Sequence, residues 1–427
     1  MFNFRRPSNN QKKNKFLKDQ PLNIAFLTYR GNMTCGGQGI YTWYLVRELS
    51  RLGHRVIVIN GPPYLAPLDG IPIKKLPSVW DAYDRFLPQP PRRILNPISF
   101  GEWLAIRTGN FPEPLTFTLR AYYFLRHQLE AGKFDLVHDN QSLGYGLLAL
   151  RRWVPVVTTL HHPLPIDRKA YLQQARNIRE RLRVWKFFSF THMQNQVVPR
   201  LDGLITVSEA AREAITEVYN VPREGIRVIY NGVDTELFQP LGLPRDPNRL
   251  LLVTNTEDRK KGVLYLFEAL KTLPPEIKLT IVDKINKNKY AYRLQKELGL
   301  ENRIEFTGYL PPEELTRQYN TAALAIVPSV YEGFGFPAAE AMACGTPVVS
   351  TTGGALPEVI AHGKTGLLVP PMEPQALAEA IRFLLQHKDT REEMGKAGRE
   401  RVEKYFTWEH AAREVTKFYQ EVLNDHR

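Results

Sequence analysis

An α/β protein of two domains is the fold this sequence predicts, and three observations carry the expectation. A chain of 427 residues exceeds what one hydrophobic core organises. Near its start, LNIAFLTY (Leu22–Tyr29), a glycine cluster, an amphipathic stretch and HRVIVIN (His54–Asn60) read as strand, glycine loop, helix and strand, which is a Rossmann-like βαβ unit. In the second half, AALAIV (Ala322–Val327) reads as a buried parallel strand that runs into a loop, a short helix and another strand.

Composition narrows the function classes. Apolar residues make up 43% and charged residues 24% of the chain, as in an ordinary globular protein. Cys35 and Cys344 lie far apart, which argues against a disulfide framework or a cysteine metal site and fits a reducing compartment. No apolar run reaches the ~18 residues of a membrane span, and the first residues lack the apolar centre of a signal peptide. The formal charge of +13 favours an anionic partner: a nucleoside diphosphate, a phospholipid surface or nucleic acid. Nucleic acid is not expected, because no recognition module accompanies the charge.

The chain opens with a basic arm over 1–20, carrying Arg5, Arg6, Lys12, Lys13, Lys15 and Lys18. It reads as a disordered, solvated tail, with a membrane-surface contact as the weaker alternative. The first domain is expected over 21–238. After its first strand, Gly36, Gly37 and Gly39 precede a helix bearing Ile40, Trp43, Val46 and Leu49, which Gly53 stops. A glycine loop at a strand-to-helix junction either faces a ligand or makes a tight turn.

Residues 61–114 are rich in proline and aromatics, so no regular helix is expected to run through them. This insertion is either an elaboration of the domain or an acceptor-recognition surface. A helix over Leu115–Leu129, a strand at Phe134–His138, a helix with Asp139 and Asn140 as capping candidates, and a strand at Pro155–His162 follow. His161 sits at a strand C-terminus, where open α/β sheets place ligands; the plain alternative is a loop histidine with a structural hydrogen bond. Arg168–Pro199 mixes cations with Trp185, Phe187, Phe188 and Phe190. It reads either as a helix for a lipid interface or as one whose aromatics are buried. A strand at Leu204–Val207, Ser208 as a helix N-cap and the turn pair Asn231–Gly232 close the domain.

A linker is expected over 239–248 and a second domain over 249–404. RLLLVT opens it, followed by the loop TNTEDRKKG, a helix over Gly262–Leu273, the strand KLTIVD, the strand and turn RIEFTGYL (Arg303–Leu310) and a helix over Pro312–Asn320. The stretch Pro328–Val349 organises the rest. Gly333 and Gly335 flank Phe334 and let the backbone approach a ligand. Pro337 suits a first helical turn, Ala338–Ala343 are good helix formers, and Gly345 ends the helix. Glu332 and Glu340 bracket this loop, and the amides at the helix start make a seat for an anion such as phosphate. A helix over Pro374–Gln386 and a last one over Trp408–Leu423 complete the chain.

The string EGFGFPAAEAMACGTPVV resembles the Glu-x7-Glu signature of retaining glycosyltransferase family 4, the group 1 glycosyl transferases, with Glu332 and Glu340 at its two glutamates. The strings Leu201–Ile215, Ile226–Pro240 and Ser350–Val359 are similar to the same family. The resemblance implies a GT-B architecture, two Rossmann-like doubly wound domains facing across a cleft. In it, the segment 405–427 crosses back as a helix to the first domain. It implies an enzyme that moves a hexosyl unit from a nucleotide-diphosphate sugar, with retention, to a lipid-linked or glycan acceptor such as a cell-envelope glycolipid or an exopolysaccharide precursor. It implies catalytic roles for Glu332 and His161. Donor contacts fall to Gly36, Gly37, Lys261, Gly335, Phe336 and Glu340. With no Asp-x-Asp motif, no metal or other cofactor is expected. The expected place is cytoplasmic, peripheral at the inner face of the plasma membrane.

Two positions depart from the family pattern. The usual Gly–Arg pair before the lysine is Asn255–Thr256, leaving Arg259 or Lys260 to supply a charge from another angle. A glycine-rich turn is replaced by Lys284–Lys289. These departures motivate a rival of another class, a non-catalytic GT-B protein that binds a sugar nucleotide or a lipid head group. A glycogen-type phosphorylase ranks low, since it needs a pyridoxal phosphate lysine site and normally a longer chain.

Overall fold

The computed structural model describes residues 20–32, 37–79, 94–175, 177–283 and 290–426. The basic arm, Gly36 and Lys284–Lys289 therefore lie outside the described residues. The chain divides into two compact units. The first takes the residues up to Val207, Arg212–Ile229 and the end from Ala412; the second takes Ser208–Ala211 and Tyr230–Ala411.

The first unit is built from β1 (Asn23–Thr28), α1 (Gly37–Arg51), β2 (Arg55–Asn60), β3 (Ile73–Lys75), α2 (Pro97–Arg107), α3 (Glu113–Glu130), β4 (Leu136–Asn140), α4 (Tyr145–Leu150), β5 (Val156–Leu160), α5 (Leu164–Gln174), α6 (Ile178–Phe187), α7 (Phe190–Val197), β6 (Gly203–Thr206), α8 (Glu209–Tyr219) and β7 (Ile226–Val228). Its strands form one parallel sheet in the order β3-β2-β1-β4-β5-β6-β7. The central strands β1, β4, β5 and β6 are buried along nearly their whole length, as in a parallel sheet covered on both faces. Ala25, Leu27, Val137 and Val156 are fully buried beneath Phe117, Ala121 and Leu125 of α3.

The second unit contains β8 (Asp246–Val253), α9 (Val263–Thr272), β9 (Lys278–Val282), α10 (Tyr290–Glu297), β10 (Ile304–Phe306), α11 (Pro312–Thr321), β11 (Ala322–Val327), α12 (Phe336–Ala343), β12 (Val348–Thr351), α13 (Leu356–Val359), β13 (Gly366–Val369), α14 (Pro374–Gln386) and α15 (Lys388–Tyr405). Its sheet is also parallel, in the order β10-β9-β8-β11-β12-β13. The final helix α16 (Trp408–Asp425) belongs to the first unit from Ala412 onward. There Tyr419 is fully buried and its hydroxyl meets His138 Nδ1.

Three expectations need correction. A regular helix, α2, does run inside 61–114. It forms because Pro97 stands in the first turn, where no amide bond is lost, and Asn96 Oδ1 accepts the Ile98 amide at 2.9 Å. The insertion is also tied to the unit: β3 adds to the sheet beside β2, and buried Glu102 accepts from Arg120 at 2.6 Å and from Ser78 Oγ at 2.8 Å. Asp139 and Asn140 cap no helix but end β4, while Gly144 precedes α4. Asp139 instead accepts the amides of Ser142 and Leu143 at 3.0 and 3.1 Å. Finally, β8 begins at Asp246, inside the segment expected as linker.

Candidate active site

In each sheet the strand order reverses once, and the loops at that switch point leave adjacent strands on opposite faces and open a crevice at their carboxyl ends. In the second unit the switch lies between β8 and β11. The loop after β8 ends in a helical turn, Arg259–Lys261, whose cap Asp258 Oδ1 accepts the Lys260 amide at 3.0 Å. The loop after β11 carries Ser329 and Glu332. The Val330 amide donates to the Lys260 carbonyl at 2.7 Å and joins the two loops. Gly262 makes this closure feasible. Its φ is +69°, and a Cβ there would stand 1.9 Å from the Pro328 carbonyl oxygen.

This closure brings Lys261 to Glu332: Nζ stands 2.7 Å from Oε1. The same oxygen accepts Ser329 Oγ at 2.8 Å. The Glu332 backbone pairs with Gly354, and its carbonyl accepts the Ala355 amide at 2.9 Å. The carboxylate is buried and doubly hydrogen-bonded, and the ammonium keeps a partly open face.

Gly335, with φ +99°, turns the chain into α12, which Phe336 heads. Phe336 meets Phe334 edge-on at 5.2 Å and Trp408 in a stack at 6.2 Å, so the helix start rests on an aromatic floor. Pro337 has no N–H, and the Ala338 and Ala339 amides donate to the Gly335 carbonyl at 3.0 and 3.2 Å, so the Phe336 amide is the first-turn donor left for a ligand, at the positive end of the helix dipole. One turn in, Glu340 Oε2 accepts the hydroxyl of fully buried Tyr319 at 3.0 Å. Burial pushes the Glu340 carboxyl up to about 7, and the Tyr319 hydrogen bond opposes that rise.

In the first unit, β5 delivers His161 to the carboxyl edge of the sheet. Its Nε2 lies 2.7 Å from Asn140 Oδ1. Asn140 Nδ2 donates to the Gln38 carbonyl at 3.0 Å and to Thr42 Oγ1 at 2.8 Å. Those two bonds fix the amide orientation, so Oδ1 faces the histidine and Nε2 carries the proton. The His161 amide donates to Gln141 Oε1 at 2.7 Å, and Tyr41 packs edge-on at 4.8 Å. Burial holds the imidazole down to about 4, hence neutral at physiological pH. Gly37 is the first residue of α1; its neighbours Gln38 and Thr42, not Gly37 itself, share a network with His161 through Asn140.

Arg259 is exposed, and its guanidinium lies over the Tyr290 ring at 5.3 Å. Thr256, where the family has arginine, is buried; its amide and hydroxyl both donate to Asp283 Oδ2, at 2.9 and 2.6 Å. Sequence reasoning missed Ser329, Tyr319 and the true role of Asn140. No spacing rule marks them, because each partner is distant in the chain or reached across a turn.

The architecture is that of the GT-B glycosyltransferases. Sucrose-phosphate synthase from Thermosynechococcus elongatus superimposes with a TM-score of 0.71 at 24% identity, over 95% of this chain and 100% of that one. A glycosyltransferase from Rickettsia africae does so at 0.70 and 20% identity, over 95% and 99%. The family model of group 1 glycosyl transferases matches residues 233–401, and that of Glycosyltransferase Family 4 matches 35–237. The chain belongs to this family and is a transferase enzyme. Among curated relatives, the MMP alpha-(1→4)-mannosyltransferase of Mycolicibacterium hassiacum is 38% identical over 94% of this chain and 98% of its own length. The D-inositol 3-phosphate glycosyltransferase of Mycolicibacterium smegmatis is 27% identical over 94% and 90%.

Proposed function

We propose that this enzyme transfers a mannosyl unit from a nucleotide-diphosphate sugar to a glycan or lipid-linked acceptor, with retention at the anomeric carbon and without a required metal. The observation that carries the reading is the Lys261–Glu332 pair at the switch point of the second unit. The likeness to a mannosyltransferase over nearly the full length of both chains supports the sugar.

In this reading the bond from C1 to the diphosphate oxygen breaks and negative charge collects on the leaving group. Lys261 and the start of α12, through the Phe336 amide that follows Gly335, stabilise that charge electrostatically. The Gly36–Gly37 loop and Arg259 add to the donor contacts. Glu340 accepts hydrogen bonds from the ribose hydroxyls. Glu332 orients sugar hydroxyls and supports the electron-poor C1. His161, neutral and with its Nε2 proton given to Asn140, accepts a hydrogen bond from a sugar hydroxyl at Nδ1. The acceptor oxygen attacks C1 from the face the diphosphate leaves, and its proton passes to a phosphate oxygen, so no protein base is needed. The enzyme works in the cytoplasm, as a peripheral protein at the inner face of the membrane.

The test is nucleotide release by purified protein from GDP-mannose, GDP-glucose, UDP-glucose and ADP-glucose, with manno-oligosaccharides or polyprenyl phosphate as acceptors. Turnover of GDP-mannose with an α-configured product is expected. Turnover confined to a glucosyl donor would overturn the sugar assignment, and a β-linked product would overturn retention.

A further inference from the structure

Most of the exposed large apolar side chains among the described residues lie between Leu95 and Phe187 in the first unit. The helix α6 concentrates them. None of its residues is buried, and Ile178, Leu182 and Trp185 are 69%, 52% and 55% exposed. At about 100° per residue these three fall within roughly 60° of one another. Val184 and Phe187 lie on the opposite side. Val184 packs on the core of the unit, and Phe187 meets Phe111 at 5.2 Å. The apolar stripe therefore points away from the protein. Arg181 flanks it on one side, Arg179 and Lys186 on the other, all exposed.

Two neighbouring features have the same character. Between α5 and α6 lies a cavity of about 460 Å³ whose lining includes Arg168, Lys169 and Arg181, with no carboxylate among its described lining residues. The loop after α2 meets the end of α6 through the Phe111–Phe187 contact and the Ser189–Asn110 hydrogen bond at 3.1 Å, and α2 itself exposes Phe100 and Leu104 one turn apart. A folded protein does not hold an outward apolar stripe between rows of cations for its own stability. An interface of acyl chains beneath anionic head groups satisfies both parts of the pattern.

We propose that α5, α6 and α2 form a docking face for an anionic phospholipid bilayer. Ile178, Leu182 and Trp185 enter the acyl boundary, and the cavity lined by Arg168, Lys169 and Arg181 holds a lipid phosphate. The inference rests on the peripheral-membrane part of the reading above and names the surface responsible; it does not depend on the donor or on the transfer chemistry. The charge pattern favours a bilayer over a neutral glycan, since a glycan needs no row of cations.

The experiment is co-sedimentation of the full chain with phosphatidylglycerol–phosphatidylcholine vesicles and with pure phosphatidylcholine vesicles. Binding to the anionic vesicles alone, weakened by salt, is expected. Arg168→Glu/Lys169→Glu/Arg181→Glu should lower the partition coefficient by roughly a hundredfold or more, and Leu182→Ser/Trp185→Ser by at least about tenfold. These side chains reach solvent, so thermal unfolding should stay unchanged in the variants and separate docking from folding. Absence of any wild-type binding would overturn the peripheral reading and this inference together. Wild-type binding that both variants retain would overturn the surface alone. Variants that keep vesicle binding but raise the KM of a soluble glycan acceptor would make the face an acceptor subsite instead.

Discussion

Lys261 Nζ and Glu332 Oε1 stand 2.7 Å apart across the carboxyl ends of β8 and β11, although 71 residues separate them in the chain. Each member is held in turn: Lys261 by the turn that Asp258 caps, Glu332 by the Ser329 hydroxyl. The carboxylate is thus prepositioned beside the ammonium that, in the proposed reaction, faces the leaving diphosphate.

Lys261→Ala should lower kcat/KM by about 10²–10³-fold, the usual cost of losing one preorganised group that stabilises developing charge. Lys261→Arg should recover part of it. Glu332→Gln keeps the shape and the Ser329 bond but removes the charge, so it too should lose activity. The double variant should lose less than the product of the two, because the residues act as a unit. Steady-state kinetics decide it; an unchanged kcat/KM in Lys261→Ala would remove that residue from the reaction.

Glu340 gives the enzyme an acid limb. Its carboxyl is pushed up to about 7, chiefly by burial. As a carboxylate it accepts hydroxyl hydrogen bonds; protonated, it loses much of that capacity. The donor KM should therefore rise as pH falls below about 7. Tyr319→Phe removes a hydrogen bond to the charged form and should move this inflection higher; a merely structural Tyr319 would leave it in place. Folding stability runs the other way. Because the folded-state value lies above the ordinary 4.5, the folded form holds the proton more tightly between 4.5 and about 7. The contribution of this group to stability falls as pH rises through that window.

Burial keeps His161 neutral, and Asn140 sets its orientation. Asn140→Ala should cost roughly a hundredfold in kcat through lost orientation of the ring. Asn140→Asp places an anion 2.7 Å from Nε2 and should raise the imidazole from about 4 toward neutrality. The kcat/KM profile of that variant should gain a limb absent from the wild type, and histidine NMR titration locates it.

Gly262→Ala should destabilise the second unit by about 3 kcal/mol, through positive φ and a Cβ driven against the Pro328 carbonyl. Gly299 also has positive φ, +68°, but nothing stands within 4 Å of a Cβ there. Gly299→Ala should cost only about 1 kcal/mol. Denaturant unfolding of the two variants separates backbone strain from the steric clash.

Much of the fold was legible before any coordinates. The strand β11 and the helix α14 fall where the apolar pattern puts them, and α12 follows the glycine loop as expected. The misreadings have different causes. Proline content argued against α2, yet Pro97 in the first turn and the Asn96 cap, both local signals, permit it. Asp139 and Asn140 have the composition of helix caps, yet pairing with β1 and β5 draws both into a strand. There a local preference yielded to long-range hydrogen bonding that local sequence does not encode. The long helix α15 was not anticipated at all.

By itself the sequence determined the two-domain α/β class, the family, and the candidate pair Glu332 and Glu340, because strand periodicity, glycine loops and the Glu-x7-Glu string are properties of neighbouring residues. Only the tertiary structure decided that Lys261 meets Glu332, that Tyr319 lies beneath Glu340, that Asn140 sets the proton on His161, and that the apolar stripe of α6 faces outward. Those relations depend on which strands become neighbours and which helix face meets the core. They are settled by long-range burial and hydrogen-bond satisfaction across dozens of residues, which no short stretch of chain carries.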